Sequence, residues 1–453
     1  MSEVFWNRIR RESIIFKEYV ICSQMYWFCF IFVSCIIIIT GCNEDLSRNY
    51  DHVPLDYLKD QRFFPYGHID RQAYRSAVLN LNEFMDKSNT GFSEAWLSRG
   101  PKNISGRVTD IEMHHSDTMT IYVGTASGGI LKSTDQGFNW KPIFDQQASL
   151  SIGDIALSPA DKNVIIAGTG EANAGGSSVT YDGLGLFRSD DGGENWEHIG
   201  LEESGSIGRI VFHPYDDNII YVAAMGQLFS NDKQRGVFKT TDGGSSWQHI
   251  LSISDSTGAI DLVIHPENPD TLFAAMWERK RGPGSRAYGG STSGLYRSFD
   301  GGQNWIELKG GLPEQGEQKG RIGIAISQSH PDIIFAYYAD ARGNLQGIYR
   351  SGDGGDNWIS KSLININNVP FTWWFGRIYV HPNNPDKVFV AGLNMFYSEN
   401  GGDSWQRIFF DAHIDHHAFY IHPQLPEFYL DGHDGGIDIS YNGGFSHYNI
   451  NSL

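Results

Sequence analysis

One eight-residue box recurs seven times along this chain and limits its fold more than any other feature. It reads STDQGFNW from Ser133, SDDGGENW from Ser189, TTDGGSSW from Thr240, SFDGGQNW from Ser298, SGDGGDNW from Ser351, SENGGDSW from Ser398 and, in a worn form, SYNGGFSH from Ser440. Successive copies lie 42 to 58 residues apart. A second element keeps step with it: IVFHPYDDNIIYVAA from Ile210 returns as LVIHPENPDTLFAAM from Leu262 and IYVHPNNPDKVFVAG from Ile378, with four looser versions. Each is an apolar run, a Pro/Asn/Asp turn and a second apolar run, the pattern of a strand hairpin. A third strand such as GLFRS follows, then the box, then a fourth strand led by Trp, as in WEHIG. Four strands per period of about 50 residues predicts an all-β chain, a seven-bladed β-propeller over residues 92–453.

The box itself is expected to be a turn. Ser and Asp side chains accept bonds from backbone amides of their own loop, Gly supplies positive φ, and Trp buries a large apolar surface. Asp135, Asp191, Asp242, Asp300, Asp353, Asn400 and Asn442 are therefore assigned structural roles. Ring closure is expected from Trp96-Leu-Ser-Arg-Gly100, which matches Trp196-Glu-His-Ile-Gly200 yet has no box before it. The seventh box ends in His447 instead of Trp, so the segment around Trp96 is expected to supply the outer strand of the last blade.

All four cysteines, Cys22, Cys29, Cys35 and Cys42, precede the repeats. Between Met25 and Gly41 runs an uncharged apolar stretch, preceded by Arg8, Arg10, Arg11 and Lys17. That is the layout of a secretory signal, with an uncleaved anchor helix as the alternative and Met25 as an alternative start. Ile39-Thr40-Gly41-Cys42 resembles the lipobox of bacterial lipoproteins, which implies lipidation of Cys42, a membrane anchor and an extracytoplasmic location in the cell envelope. Residues 1–41 are thus expected to be a signal segment. Residues 42–91 are expected to be a tether and one short amphipathic helix, with Ala73, Ala77, Leu81, Phe84 and Met85 at helical spacing. A formal charge of −18 disfavours nucleic acid as a partner.

The boxes resemble the Asp boxes, or BNR repeats, of sialidases, xyloglucanase-type glycosidases and sortilin-type receptors. GRVTDIEMHH, IYVGTASGGILKSTDQG, GTGEAN and HIDHHAFYIHP are most similar to bacterial sortilin-like or "glycosyl hydrolase" BNR-repeat proteins, over roughly residues 92–448. Such relatives tend to be longer, so the resemblance implies that the chain is a truncated form. It implies ligand binding at one mouth of the propeller channel, or glycoside hydrolysis there, and leaves an envelope scaffold open. Xyloglucanase-type enzymes carry an Asp shortly before a Gly-Gly in blade one, where this chain has Ala126. Sialidases carry an Arg-Ile-Pro motif that does not occur here.

Aligning the first strands on their His-Pro turns puts Asp110, Asp154, Arg209, Asp261, Gly323, Arg377 and Ala418 at one level of the channel. Charges on otherwise apolar strands need partners, since unpaired burial is costly. They form either a polar ligand-binding ring or a set of Asp–Arg pairs that closes the channel. A hydrolase would need two carboxylates, from Asp110, Asp154, Asp261 or Glu171, facing an open pocket about 5–9.5 Å apart. Bonding of every ring aspartate to Arg209 or Arg377 would defeat that reading. The densest polar cluster is Asp411-Ala-His413-Ile-Asp415-His416-His417. Alternation along a strand would bring His413, Asp415 and His417 to one face, where a divalent metal is possible, with a ligand added from Asp431-Gly-His433-Asp434. A polar binding cluster that includes Asp415, His416 and His417 is the alternative, and no cofactor is otherwise expected. Two long loops add Glu171, Asn173 and Tyr181, and Trp277, Arg279, Arg281 and Tyr288, types suited to sugars or peptides.

Overall fold

The computed structural model describes Ala73, Ser76, Ala77 and Asn80, then residues 106–173, 182–227, 230–281, 286–314, 319–366 and 371–451. The chain divides into residues 1–61 and 62–453, and the first unit lies outside the described residues, as do Cys42 and Trp96. The four described residues of the expected amphipathic helix are helical.

The repeats form seven antiparallel four-stranded sheets. Blade one comprises Val108–Glu112, Ile121–Thr125, Ile130–Ser133 and Lys141–Pro142. The first strands of the next six blades are Ile152–Leu157, Ile207–His213, Thr257–Ile264, Lys319–Ile326, Arg377–His381 and His416–Ile421. Each first strand adjoins those of its neighbours, and that of blade seven returns to that of blade one. They therefore wall a central channel. Blade four carries an extra hairpin, Lys280–Arg281 with Arg286–Ala287.

Every box is the turn its residues dictate. Ser189 Oγ donates to Asp191 Oδ1 at 2.8 Å and accepts from the Gly193 amide at 2.8 Å. Asp191 accepts the Asn195 amide at 2.9 Å and the Asn195 side-chain Nδ2 at 2.7 Å. In the two boxes with Asn at this position the residue four on is Ser, and the bond runs the other way: Asn400 Nδ2 donates to Ser404 Oγ at 2.9 Å and Asn442 Nδ2 to Ser446 Oγ at 2.9 Å, whereas Ser246 Oγ donates to Asp242 Oδ2 at 2.6 Å. An amide can give a proton where a carboxylate can only accept one, so the direction of the bond changes with it.

The box also staples blades together. Trp196, Trp247 and Trp405 donate Nε1–H to carbonyls at the outer edge of the preceding blade, Ile143, Ile199 and Ser362, at 2.7 to 2.8 Å. In the other direction, Lys132, Lys239 and Arg297 of third strands donate to glycine carbonyls in the next box, Gly192, Gly301 and Gly354. The histidines of the His-Pro turns, and His114 in the matching turn of blade one, cap those turns: His114, His213, His265, His381 and His422 each accept at Nδ1 an amide two residues on, at 3.2 Å.

Closure differs from the expectation from Trp96. The outer strand of blade seven is Tyr448–Asn449, paired with Gly436–Ser440. It follows directly from the seventh box, so the short local hairpin forms at lower closure entropy than a join to the N-terminal segment. The seam is instead held by side chains. Trp140 Nε1 donates to Ile450 O at 2.8 Å, and Tyr420 Oη to Met113 O at 2.8 Å. Val108, Ile111 and Ile121 of blade one share a buried cluster with Ala418, Leu430 and Ile439 of blade seven. His447, where the other boxes have Trp, turns its Nδ1 to Asp438 at 3.0 Å.

Candidate functional site

Midway along the channel lies the charged ring. Backbone bulges interrupt the register next to Asp110, Asp154 and Asp261. Each of these carboxylates brackets the next blade, accepting the amide of Ile155 at 2.8 Å, Ile210 at 2.7 Å and Ile324 at 3.1 Å respectively. Arg209 bridges Asp154 and Asp261, both at 3.1 Å, and Arg377 reaches Asp110 at 3.4 Å. A side chain at Gly323 would overlap the Gly376 carbonyl, which explains the gap in the charge pattern there. All three ring aspartates are thus engaged by Arg209 or Arg377 and by backbone. Burial pushes the Asp154 carboxyl up, against the pull of Arg209.

At blade seven, strand structure starts at His416, and Asp415 has φ of 72°. The alternation expected across His413, Asp415 and His417 is therefore broken before it begins. His413 Nδ1 donates to the Ile414 carbonyl at 2.7 Å, and the buried His416 bonds Asp431 through Nδ1 at 2.7 Å. His417 bonds Asp434 through Nε2 at 2.8 Å. Among the described residues no three His, Cys, Asp or Glu side chains are grouped to hold a metal.

The richer site is the mouth at which first strands begin. Antiparallel pairing puts the start of each first strand and the end of each second strand at this same end. Blade one brings Arg107 and blade two Glu171, which form an ion pair at 2.7 Å with side chains 15% and 4% exposed. Before the first strand of blade six comes a one-turn helix, Thr372–Phe375, entered through Phe371 at φ of 57°. Arg107 stands over the Trp374 ring, 5.5 Å from its centroid. Trp373 stacks on Tyr288 at 4.4 Å and lies beside Arg279, which donates to the Ala172 carbonyl at 3.1 Å. Phe375 packs on His417 at 5.0 Å, joining this group to the His417–Asp434 pair. Blades one, two, four, six and seven thus meet at one mouth.

Three buried polar atoms here, Arg107 Nε, Asn173 Oδ1 and Trp374 Nε1, lack a hydrogen-bond partner among the described residues. Buried polar groups are normally satisfied, so these three atoms at one mouth are open to water or ligand. The carboxyls at this mouth are set apart electrically. Burial and the neighbouring Asp434 push Asp415 up. Burial would raise Asp434 too, but the His417 hydrogen bond and Arg107 hold it below the usual range. Burial also lowers His417, and it lowers Arg321, whose Nη1 holds the Trp374 carbonyl at 2.6 Å, to about 9.

Of the sequence candidates, Glu171, Asn173, Arg279, Tyr288 and His417 meet here, while Asp110, Asp154, Arg209, Asp261 and Arg377 form the ring below. Tyr181 lies outside the described residues. Arg107, Arg321, Trp373 and Trp374 were not singled out from sequence; the tandem Trp in FTWWFG, outside any box, is the signal that points to them.

With this geometry in hand, comparisons with known proteins are informative. The profile of the sortilin (neurotensin receptor 3) family matches residues 185–335. Over those residues the chain is similar to the sortilin family. The xyloglucanase Xgh74A of Acetivibrio thermocellus is 23% identical over 67% of this chain, and a Paenibacillus xyloglucanase 24% over 68%. The chain spans only 38% and 32% of those two proteins. The photosystem II assembly lipoprotein Ycf48 of a Synechococcus strain is 26% identical over 49% of this chain and 55% of its own length. Among solved structures, the GH74 xyloglucanase of Xanthomonas campestris superposes with a TM-score of 0.57 at 17% identity, covering 78% of this chain and 54% of the enzyme. Ycf48 bound to D1 peptide gives 0.51 at 15%, covering 76% and 98%. At these identities the superpositions establish the fold.

Proposed function

We propose that this chain is a ligand-binding propeller whose strand-entry mouth takes an extended polar ligand, a glycan or a peptide segment. The observation that carries this is the set of partnerless buried polar atoms around the Arg107–Glu171 pair and Trp374. Aromatic faces beside a charged pair suit sugar rings and peptide backbones alike. The relatives favour both classes: two are named xyloglucanases and one was solved with a peptide. The test is binding of xyloglucan oligosaccharides and of a peptide library to the purified chain. Trp374→Ala and Glu171→Gln should each weaken binding at least about tenfold, as truncation at a binding hot spot does. Full binding in both folded variants refutes the assignment.

A second reading has its own support. Asp415 pushed up beside Asp434 held low is the split expected of a general acid and its ionised partner. In a glycoside hydrolase of this kind the pair would act at the mouth, and the ring aspartates would not. Release of product from xyloglucan, abolished by both Asp415→Asn and Asp434→Asn, supports hydrolysis; binding without turnover leaves the first reading alone.

We also propose that Cys42 carries a lipid and holds the propeller at an envelope membrane, outside the cytoplasm. The lipobox-like Ile39–Cys42 supports this, as does the lipoprotein name of the Ycf48 relative. Cys42→Ser should move the protein from membrane to soluble fraction, and unchanged partition refutes the anchor.

A further inference from the structure

Past the ring, toward the turns that join first and second strands, the channel widens into a cavity of about 690 Å³. That is ample for a small ligand. Its walls are largely apolar, with Val211, Val263 and Ala325 two residues beyond the ring positions on their strands. Three aromatic residues, Tyr379, Phe419 and Tyr420, stand among them. Tyr379 is braced edge-on by Phe419 at 5.6 Å, and Tyr420 is fixed by its bond to Met113 O.

The charged residues that line this cavity are Asp110, Glu112, Arg209 and Asp261, three carboxylates to one guanidinium. Arg209 is bonded to Asp154 and Asp261, and Arg377 to Asp110, so both nearby cations are already engaged. Glu112 makes no ion pair among the described residues, although it sits in blade one at the level where the other blades present apolar or tyrosine side chains. Tyr379 lines the same cavity, its hydroxyl in the field of Arg377. A buried acid with no ion pair of its own, in an apolar recess that also holds tyrosine rings, is complementary to a cation that has an apolar body.

We propose that this cavity is a second binding site, at the opposite mouth from the first, for an organic ammonium ion. Glu112 is the counter-ion, Tyr379 and Tyr420 present ring faces to the cationic head, and the apolar walls take the alkyl part. Binding is proton-linked. Burial, then Asp110 and Asp154, raise the Glu112 carboxyl well above the carboxylate range against the pull of Arg209 and Arg377, so a bound cation drives out its proton.

The test is calorimetric titration of the full chain with choline and with hexylammonium at fixed ionic strength, alongside 3,3-dimethylbutan-1-ol as the uncharged isostere of choline. The cations should bind at least about tenfold more tightly than the isostere. Their affinity should fall between pH 8 and pH 6, and proton release should show as a dependence on buffer ionisation heat. Glu112→Gln should lose the preference for cations while keeping its melting temperature, and Tyr379→Leu should weaken choline binding. Equal binding of the neutral isostere, no cation binding at 10 mM (roughly the weakest useful range), or an unaffected Glu112→Gln variant overturns the proposal. Competition by potassium ion at equal concentration overturns it too, since the aromatic and apolar walls would then count for nothing.

Discussion

Replacing Arg209 with methionine tests whether the channel ring is held by its ion pairs. The substitution keeps most of the side chain's length and removes the guanidinium that bridges Asp154 and Asp261, whose side chains are 1% and 5% exposed. Removing one partner of a buried pair strands the other charge and costs about 3–5 kcal/mol. Unfolding entropy of about 2.1 cal/mol/K per residue, over a propeller of this size, converts that to a melting-temperature drop of roughly 4–7 °C. The loss should depend on pH. Burial already raises the Asp154 carboxyl in the folded chain, and without Arg209 it is raised further. A carboxyl whose folded pKa exceeds its unfolded one, about 3.9, stabilises the fold when protonated and loses that contribution as pH rises through the folded value. The variant's deficit should therefore be largest at pH 8 and shrink toward pH 5, as followed by urea denaturation at each pH. Adding Asp154→Asn should recover part of the loss, because Asn can still accept the Ile210 amide without carrying charge. A deficit under about 1 kcal/mol, or one that grows toward acid, refutes the view that these pairs close the channel.

Asp191→Ala removes the acceptor for the Asn195 amide and side chain, so melting temperature should fall, with entry-mouth ligand binding unchanged at working temperature. Lost binding in the folded variant would contradict a purely structural box. Burial lowers His114, His381 and His422, whose neutral Nδ1 atoms cap turns. Their contribution is complete above the unfolded value of about 6.5 and fades as pH falls below it. Urea midpoints should therefore decline from pH 7 to pH 5, and His381→Asn, which keeps an acceptor without titrating, should flatten that decline.

The seven boxes and their companion hairpins were enough to count the blades. A box is a local device whose Ser, Asp and Gly satisfy one another within eight residues, so its meaning survives without tertiary context. The alignment on His-Pro turns also found Asp110, Asp154, Arg209, Asp261 and Arg377 at one channel level, because strands of equal length and register put equal positions at equal depth. Glu171, Asn173 and Arg279 were legible as loop residues of binding type. The pairing of those charges was not legible: whether Arg209 meets Asp154 or a ligand depends on distances between strands about 50 residues apart in sequence. Nor was the seam, where Trp140 reaches Ile450 across 310 positions. The turn at Asp415 undid the alternation on which a shared face with His413 and His417 rested, since a single positive φ changes where every preceding side chain points. Trp374, Arg107 and Asp434 come from three blades, and only the closed ring brings them to one mouth. Sequence thus determined the fold and the depth of each polar residue along the channel. Tertiary structure decided which charges neutralise one another and which acids, like Glu112, line a cavity without an ion pair.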